Sequence, residues 1–337
     1  MKSILSFKKI NYIQILKIAI GSCISILIAD FFHLSYSSSA GVITLLTIQN
    51  TKKETLLITL KRFLSFLISL IIAYIIFQFT GYHPLSYGLY LLLFVGVCYL
   101  LDLEVGISMN AVLATHFLIE SSMSYHWIMN ELSLFLLGSG IGLLLNLYIP
   151  KNIMVIKQDQ VTIEDNIKDI LCQMASSLLD PIRGSASKEN LEQLNDQLKE
   201  GLSRAYENMN NTLFGDVRYY IQYMQMRKDQ YHILKRIQSS IESLNTVPVQ
   251  AITIADYINH IATTLHEYNN AIDLLEELEK ISDSFKSDPL PVSRIEFENR
   301  AVLFQIIHEL EIFLICKRDF VVALTPFQIK TFWNQSK

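Results

Sequence analysis

The sequence predicts an all-α protein, in which a polytopic membrane helix bundle of about six spans is followed by a cytoplasmic antiparallel helical bundle. Two observations predict this class. Residues 1–150 are almost continuously apolar, with charge confined to short clusters at intervals that suit membrane spans. Residues 151–337 are polar, carry apolar residues at helical spacing and show no strand pattern. We therefore assign 1–150 to a transmembrane domain and 151–337 to a cytoplasmic helical bundle domain.

The apolar region contains six candidate spans that differ in length. Crossing the hydrocarbon core takes about 20 helical residues, and the second, fourth and fifth candidates fall short of that. We interpret these three as tilted, re-entrant or broken helices. Irregular backbone inside the hydrocarbon core is tolerated only where protein covers it or where it lines a water-filled cavity. The six candidate spans are residues 12–32, 37–49, 63–79, 87–101, 105–119 and 132–149.

The basic residues predict the orientation of these spans. In the first 150 residues, the basic residues precede the first span, lie just inside it, or lie between the second and third spans. Lys151 and Lys157 follow the sixth span. The opposite loops hold no Lys or Arg, and we place His33, His83, Glu120, His126 and Glu131 there. Since basic residues favour the cytoplasmic side, we expect both termini in the cytoplasm.

Polar residues inside spans are the candidate site residues, because each costs free energy in hydrocarbon unless it faces protein or water. Lys17 either snorkels to the interface or lines an anion path. Arg62 opens the third span, as an interfacial anchor or as an anion ligand. Asn110 and His116 lie on faces about 120° apart, so they need not line one path. His116 is either a packed core histidine or a proton-coupled site.

The remaining motifs indicate packing rather than catalysis. Gly138 and Gly142 form a small-xxx-small pair that favours close helix packing. The four cysteines are scattered, and the sequence has no Glu-x-x-His motif, nucleophile elbow or phosphate-binding loop. The acidic second half, with 20 basic and 26 acidic residues, argues against a nucleic-acid partner. We expect no enzyme activity, no cofactor and no metal.

Apolar spacing in the polar half predicts four or five helices. They cover about 163–178, 188–210, 217–244 and 294–317, with a further seam between the third and the last. That seam alternates spacings of three and four, as in a bundle or coiled coil, and Pro289 and Pro291 end it. Its members are Ile258, Ile261, Leu265, Tyr268, Ile272 and Leu275.

Two segments of the apolar half resemble the aromatic acid exporter family, within the fusaric acid resistance superfamily. In residues 39–73 a small-residue helix ends in a Gln49-x-Thr51 turn, and the basic pair Lys52 and Lys53 follows. Residues 137–150 resemble the closing helix of that family, with its glycines, Asn146 and terminal Pro150. Phe63, Leu64 and Phe66 stand where family members often carry glycines. Relatives also continue into a helical C-terminal domain.

The resemblance implies a plasma-membrane transporter that exports small organic anions, aromatic carboxylates among them. Larger relatives carry two copies of such a membrane unit, so the resemblance also implies a homodimer in the lipid bilayer. Composition alone supports a second interpretation, in which the apolar half is only an anchor. The protein would then be a membrane sensor or scaffold whose cytoplasmic bundle binds a protein or small ligand.

Overall fold

The computed structural model describes residues 12–148, 153–180, 188–213, 217–244 and 246–333, which are helical and contain no strand. The described residues form two compact units. The first comprises those up to Tyr148 together with 210–213, and the second comprises those from Ile153 to Met209 and from Val217 onward. The chain is all-α throughout these ranges.

Six α-helices form the first unit. Three of them, Tyr12–Phe31, Lys52–Thr80 and Tyr125–Leu147, are long and apolar enough to cross a membrane by length and composition. The other three have 10, 17 and 14 residues, so the count of six spans stays a prediction. The six helices are α1 (Tyr12–Phe31), α2 (Ser38–Thr47), α3 (Lys52–Thr80), α4 (Pro84–Leu100), α5 (Ile107–Glu120) and α6 (Tyr125–Leu147).

In the first unit, α3 and α6 begin well before the apolar pattern suggests. Helix α3 begins at Lys52 rather than near Phe63, because the Thr51 side chain caps the helix by accepting a hydrogen bond from the Glu54 amide. Helix α6 begins at Tyr125, which places Glu131 inside the helix and corrects its assignment to a loop. In α3 a polar first turn precedes the apolar stretch, whereas α6 begins with aromatic residues and its polar Asn130 and Glu131 follow them.

The first unit is held by close packing of α2 against α6. A Cβ atom added at Gly138 would lie 2.6 Å from the Ala40 carbonyl oxygen, and one at Gly142 would lie 2.7 Å from Thr47 Cβ. Only glycine permits an approach this close. The packing role of the two glycines stays a prediction, which this geometry supports.

The second unit contains six long helices around one apolar core, rather than the four or five expected. The extra helix arises because the seam between Ile258 and Leu275 is not continuous. Helix α10 ends at Thr264, and the Asn269 and Asn270 side chains bond to the amides of residues 271 and 272. The long helices are α7 (Ile153–Leu179), α8 (Lys188–Asn211), α9 (Arg218–Glu242), α10 (Ala251–Thr264), α11 (Ile272–Lys286) and α12 (Arg294–Val322).

Candidate functional site

A buried histidine–carboxylate pair joins α5 to α6 in the first unit. His116 Nδ1 donates a hydrogen bond to Glu131 Oε2 at 2.9 Å. Glu131 is 0% exposed and His116 is 6% exposed. The Asn130 side-chain amide donates to the other carboxylate oxygen at 3.1 Å. Both oxygens of this carboxylate are therefore held by polar side chains inside an apolar helical unit.

The loop between α1 and α2 covers this buried pair. The Tyr36 ring stacks on the His116 ring with centroids 4.0 Å apart, and its hydroxyl donates to Glu120 at 2.7 Å. Asn130 exchanges two hydrogen bonds with the Ser35 backbone. Tyr36 has a φ of 61°, a left-handed conformation that costs a bulky residue on the order of 1 kcal/mol. These contacts hold the tyrosine in that conformation.

The pair can change charge by taking up one proton. Neutral histidine beside a carboxylate carries a net charge of −1, and imidazolium beside a carboxylate carries none. A buried ion pair contributes little to stability, because desolvation offsets the attraction between the charges. Ionisable groups inside a membrane bundle are typical of ion and proton pathways instead. The burial of this pair therefore makes it the first candidate for a functional site in the first unit.

The sequence indicates His116 but not its partner. The continuous apolar stretch of the sixth span begins at Leu132, so the apolar pattern leaves Glu131 in the preceding loop. Ser124 is the missed signal, since serine favours the position just before a helix. A helix beginning at Tyr125 carries Glu131 almost two turns into its interior.

Arg62 and Asn110 lie together at a different place from the buried pair. The Arg62 guanidinium donates to the Leu46 carbonyl at 2.5 Å and to the Val105 carbonyl at 3.0 Å. The Asn110 amide donates to Ser65 Oγ at 2.7 Å, and its Oδ1 is buried with no partner in the described part of the chain. These bonds favour a structural role for Arg62, and its place in a substrate path stays a prediction.

Lys17 bonds to the end of α6. Its Nζ donates to the Tyr148 carbonyl at 2.7 Å, where α6 ends. A cation beside the last carbonyls of a helix is favourable, because those groups carry partial negative charge. This contact favours a structural role for Lys17, and its place in an anion path stays a prediction.

The second unit contains a buried polar cluster that sequence analysis also missed. Arg227, 1% exposed, donates to Glu164 at 2.5 Å and to the Tyr223 hydroxyl at 3.0 Å. Burial alone would lower the pKa of Arg227, but its interactions with Tyr223 and Glu164 have the larger effect. The pKa of Arg227 is therefore raised. Lys317 donates to the Glu267 carbonyl at 2.6 Å. Burial and the nearby Arg227 charge lower the pKa of Lys317 to about 7.

The described ranges hold no group of three or more histidine, cysteine, aspartate or glutamate residues placed to bind a metal ion. The four cysteines are free thiols. The described residues offer three candidate groups, namely the buried pair, the cations near helix ends and the polar cluster of the second unit.

Comparison with known proteins assigns both halves of the chain. Residues 9–149 match the family model described as "Aromatic acid exporter family member 1", and residues 154–318 match "Putative aromatic acid exporter C-terminal domain". The chain is 31% identical over 312 residues to "Uncharacterized protein YqjA" of Bacillus subtilis (strain 168), covering 93% of this chain and 96% of that protein.

A solved structure is also similar to part of the chain. The "Crystal structure of putative membrane protein from Clostridium difficile 630" is 34% identical, with a TM-score of 0.47. It covers 51% of this chain and 100% of its own. The two family models and the Bacillus relative span nearly the whole sequence, so this chain belongs to the aromatic acid exporter family, a family of membrane transporters.

Proposed function

We propose that the protein exports small organic anions, aromatic carboxylates among them, across the plasma membrane. The buried pair, His116 and Glu131, is the protonatable group on which transport depends. Both termini and the second unit lie in the cytoplasm, and the working form is a homodimer. The family supports transport, and the substrate and its coupling to protons are our inference.

The observation that carries this proposal is the complete burial of Glu131 on α6. This helix is long and apolar enough to span a membrane, and a carboxylate within it is costly unless it is paired or neutralised. Its partner is a histidine, whose ordinary pKa lies near neutrality.

Flux measurements in liposomes test the proposal. Purified protein is reconstituted, and efflux of benzoate, 4-hydroxybenzoate, acetate and citrate is followed with and without an imposed pH gradient. We expect wild-type flux of the aromatic anions to depend on pH. Glu131→Gln and His116→Gln should lose that dependence, and Glu104→Gln, which changes an exposed carboxylate, should retain it.

Two outcomes would contradict the proposal. Wild-type protein that moves none of these anions would favour the membrane sensor or scaffold, whose apolar half only anchors it. Transport with the same pH dependence in Glu131→Gln would remove the buried pair from the coupling. Mass measurement of the purified protein in detergent, corrected for bound detergent, separately tests the homodimer.

A further inference from the structure

A groove runs along the second unit between α11 and α12. Its volume is about 510 Å³. It follows α11 from Ile272 to Lys286, which is about 21 Å at the rise of an α-helix. On α12 it extends from Ile307 to Arg318, which is about 17 Å. A further helix of about 14 residues has the length of this groove.

The floor of this α11–α12 groove is apolar and partly exposed. Leu278 and Ile307 are buried in the core of the second unit, whereas Leu275 and Ile315 are half-buried. Ile272, the first residue of α11, is 46% exposed. Apolar residues at the bottom of a long groove are the surface that an amphipathic helix buries when it binds.

Four carboxylates and two cations line the groove, and both cations are already paired within the chain. Lys286 Nζ lies 2.8 Å from a carboxylate oxygen of Asp283, on the same helix. The Arg318 guanidinium lies 2.9 Å from a carboxylate oxygen of Asp319, which does not line the groove. These two cations therefore do not neutralise the other carboxylates of the groove.

Three carboxylates remain available to a partner, two on the α11 side of the groove and one on the α12 side. Glu276 and Glu279 are exposed and have no ion-pair partner among the described residues. Glu311 contacts His308, whose Nδ1 lies 3.3 Å away and which is charged only when protonated. Negative charge therefore stands on both sides of the apolar floor.

We propose that the α11–α12 groove binds an amphipathic helix rich in lysine and arginine, supplied by another protein. The apolar face of that helix covers Ile272, Leu275 and Ile315, and its cations pair with the three available carboxylates. A second copy of this chain is a poorer partner, because residues 151–337 hold 26 acidic and 20 basic residues. The same carboxylates repel phosphates and anionic lipid. This interaction is independent of anion export and gives the second unit a function of its own.

Binding of a designed peptide to the full-length protein in phosphatidylcholine nanodiscs tests the proposal. The probe is a fluorescent 14-residue peptide of leucine and lysine, ordered so that a helix carries leucine on one face, with one benzoylphenylalanine among the leucines. Empty nanodiscs give the lipid background. We expect crosslinks in residues 272–286 and 307–318, and weaker binding as salt is added. A scrambled peptide of the same composition should not crosslink there.

Matched variants separate the groove from general charge. Combining Glu276→Gln, Glu279→Gln and Glu311→Gln should weaken binding about tenfold, the combined effect of three exposed ion pairs. The control removes the same net charge at exposed carboxylates of α7 and α8 and should bind as wild type. Its substitutions are Asp169→Asn, Glu192→Gln and Glu207→Gln.

Two further variants test the apolar floor and the sign of the charge. Ile272→Gln should weaken binding, while Val161→Gln, at an exposed apolar residue of α7, should not. Glu276→Lys combined with Glu279→Lys should bind a peptide in which glutamate replaces lysine, which wild type should not bind. Thermal unfolding of each variant shows that it is folded, and the gain of binding cannot arise from misfolding.

Several results would overturn the proposal. Crosslinks outside the two segments, or equal binding by the groove variant and its control, would remove the groove from peptide binding. Displacement of the peptide by spermine at a lower concentration than by unlabelled peptide would assign the carboxylates to a small organic cation. Crosslinking between two copies that carry Ile272→Cys would assign the groove to a subunit interface.

Discussion

Replacing Lys317 with methionine should remove most of the pH dependence of stability in the second unit. The side chain is 4% exposed, and its ammonium lies 5.3–5.8 Å from the ring centres of Phe320, Tyr223 and Trp333. Methionine has a similar length and packs well against aromatic rings. The substitution therefore removes the charge and keeps most of the volume.

The magnitude follows from the pKa of Lys317, which falls from 10.5 to about 7 on burial. Between these values the unfolded chain binds a proton that the folded chain has released, so stability rises with pH. Below about pH 7 both states are charged and the full cost of burying the ammonium remains. At 1.36 kcal/mol per pH unit, wild-type stability should rise by roughly 3 kcal/mol between pH 7 and 9.5.

Thermal unfolding of residues 151–337, followed by circular dichroism at several pH values, measures this rise. For a domain of this size, roughly 3 kcal/mol corresponds to about 6–12 °C in Tm. Lys317→Met should be nearly flat across the same range, while Lys280→Met, at an exposed lysine, should keep the wild-type slope. The buried Tyr220, whose pKa burial raises to about 12, stays protonated throughout.

Two results would refute this reasoning. If wild-type stability does not change between pH 7 and 9.5, Lys317 is not neutralised by burial. If Lys317→Met keeps the slope, another group is responsible. A fragment with little helix would instead show that the second unit does not fold by itself.

Three further predictions concern the first unit and the membrane topology of the chain. Gly138→Ala should destabilise the protein in detergent by about 1–3 kcal/mol through overpacking, whereas Gly140→Ala should be neutral or stabilising by thermal unfolding. On a background without native cysteines, a cysteine at Ser124 should be labelled from outside intact cells, and one at Ser187 only after lysis; the reverse would overturn the topology. Arg62→Gln should lower anion flux per inserted molecule, and unchanged flux would remove Arg62 from the path.

The positions of the helices were predictable because apolar spacing and helix-breaking residues are local signals. The starts of α3 and α6 were not, since the polar residues 52–54 and 130–131 interrupt the apolar pattern and resemble loop residues. The apolar residues also keep helical spacing from Ile258 to Leu275, so this pattern does not predict that α10 ends at Thr264. There Asn269 and Asn270 bond to backbone amides, and Ala271 adopts a left-handed conformation with a φ of 61°. Short side chains that compete with helical hydrogen bonds outweighed the periodicity.

The candidate site was only half predictable for a different reason. A histidine inside an apolar helix is visible in the sequence, but its partner is set by how α5 and α6 pack. Arg62 also shows that the sequence does not reveal which partners a charged side chain contacts. Sequence alone suggests a free cation at the start of a span, whereas the structure places its donors on carbonyls of residues 46 and 105. Which charges are already satisfied is a property of the tertiary contacts.

The shortness of α2 supports a transporter over a simple anchor. Its 10 residues extend about 15 Å, roughly half of the hydrocarbon thickness. Two backbone carbonyls at its C-terminal end accept hydrogen bonds from side chains. The Leu46 carbonyl accepts from Arg62 at 2.5 Å, and the Gln49 carbonyl accepts from Asn146 at 3.0 Å. Discontinuous helices of this kind surround binding sites in transporters. A simple anchor would need only continuous apolar helices of about 20 residues.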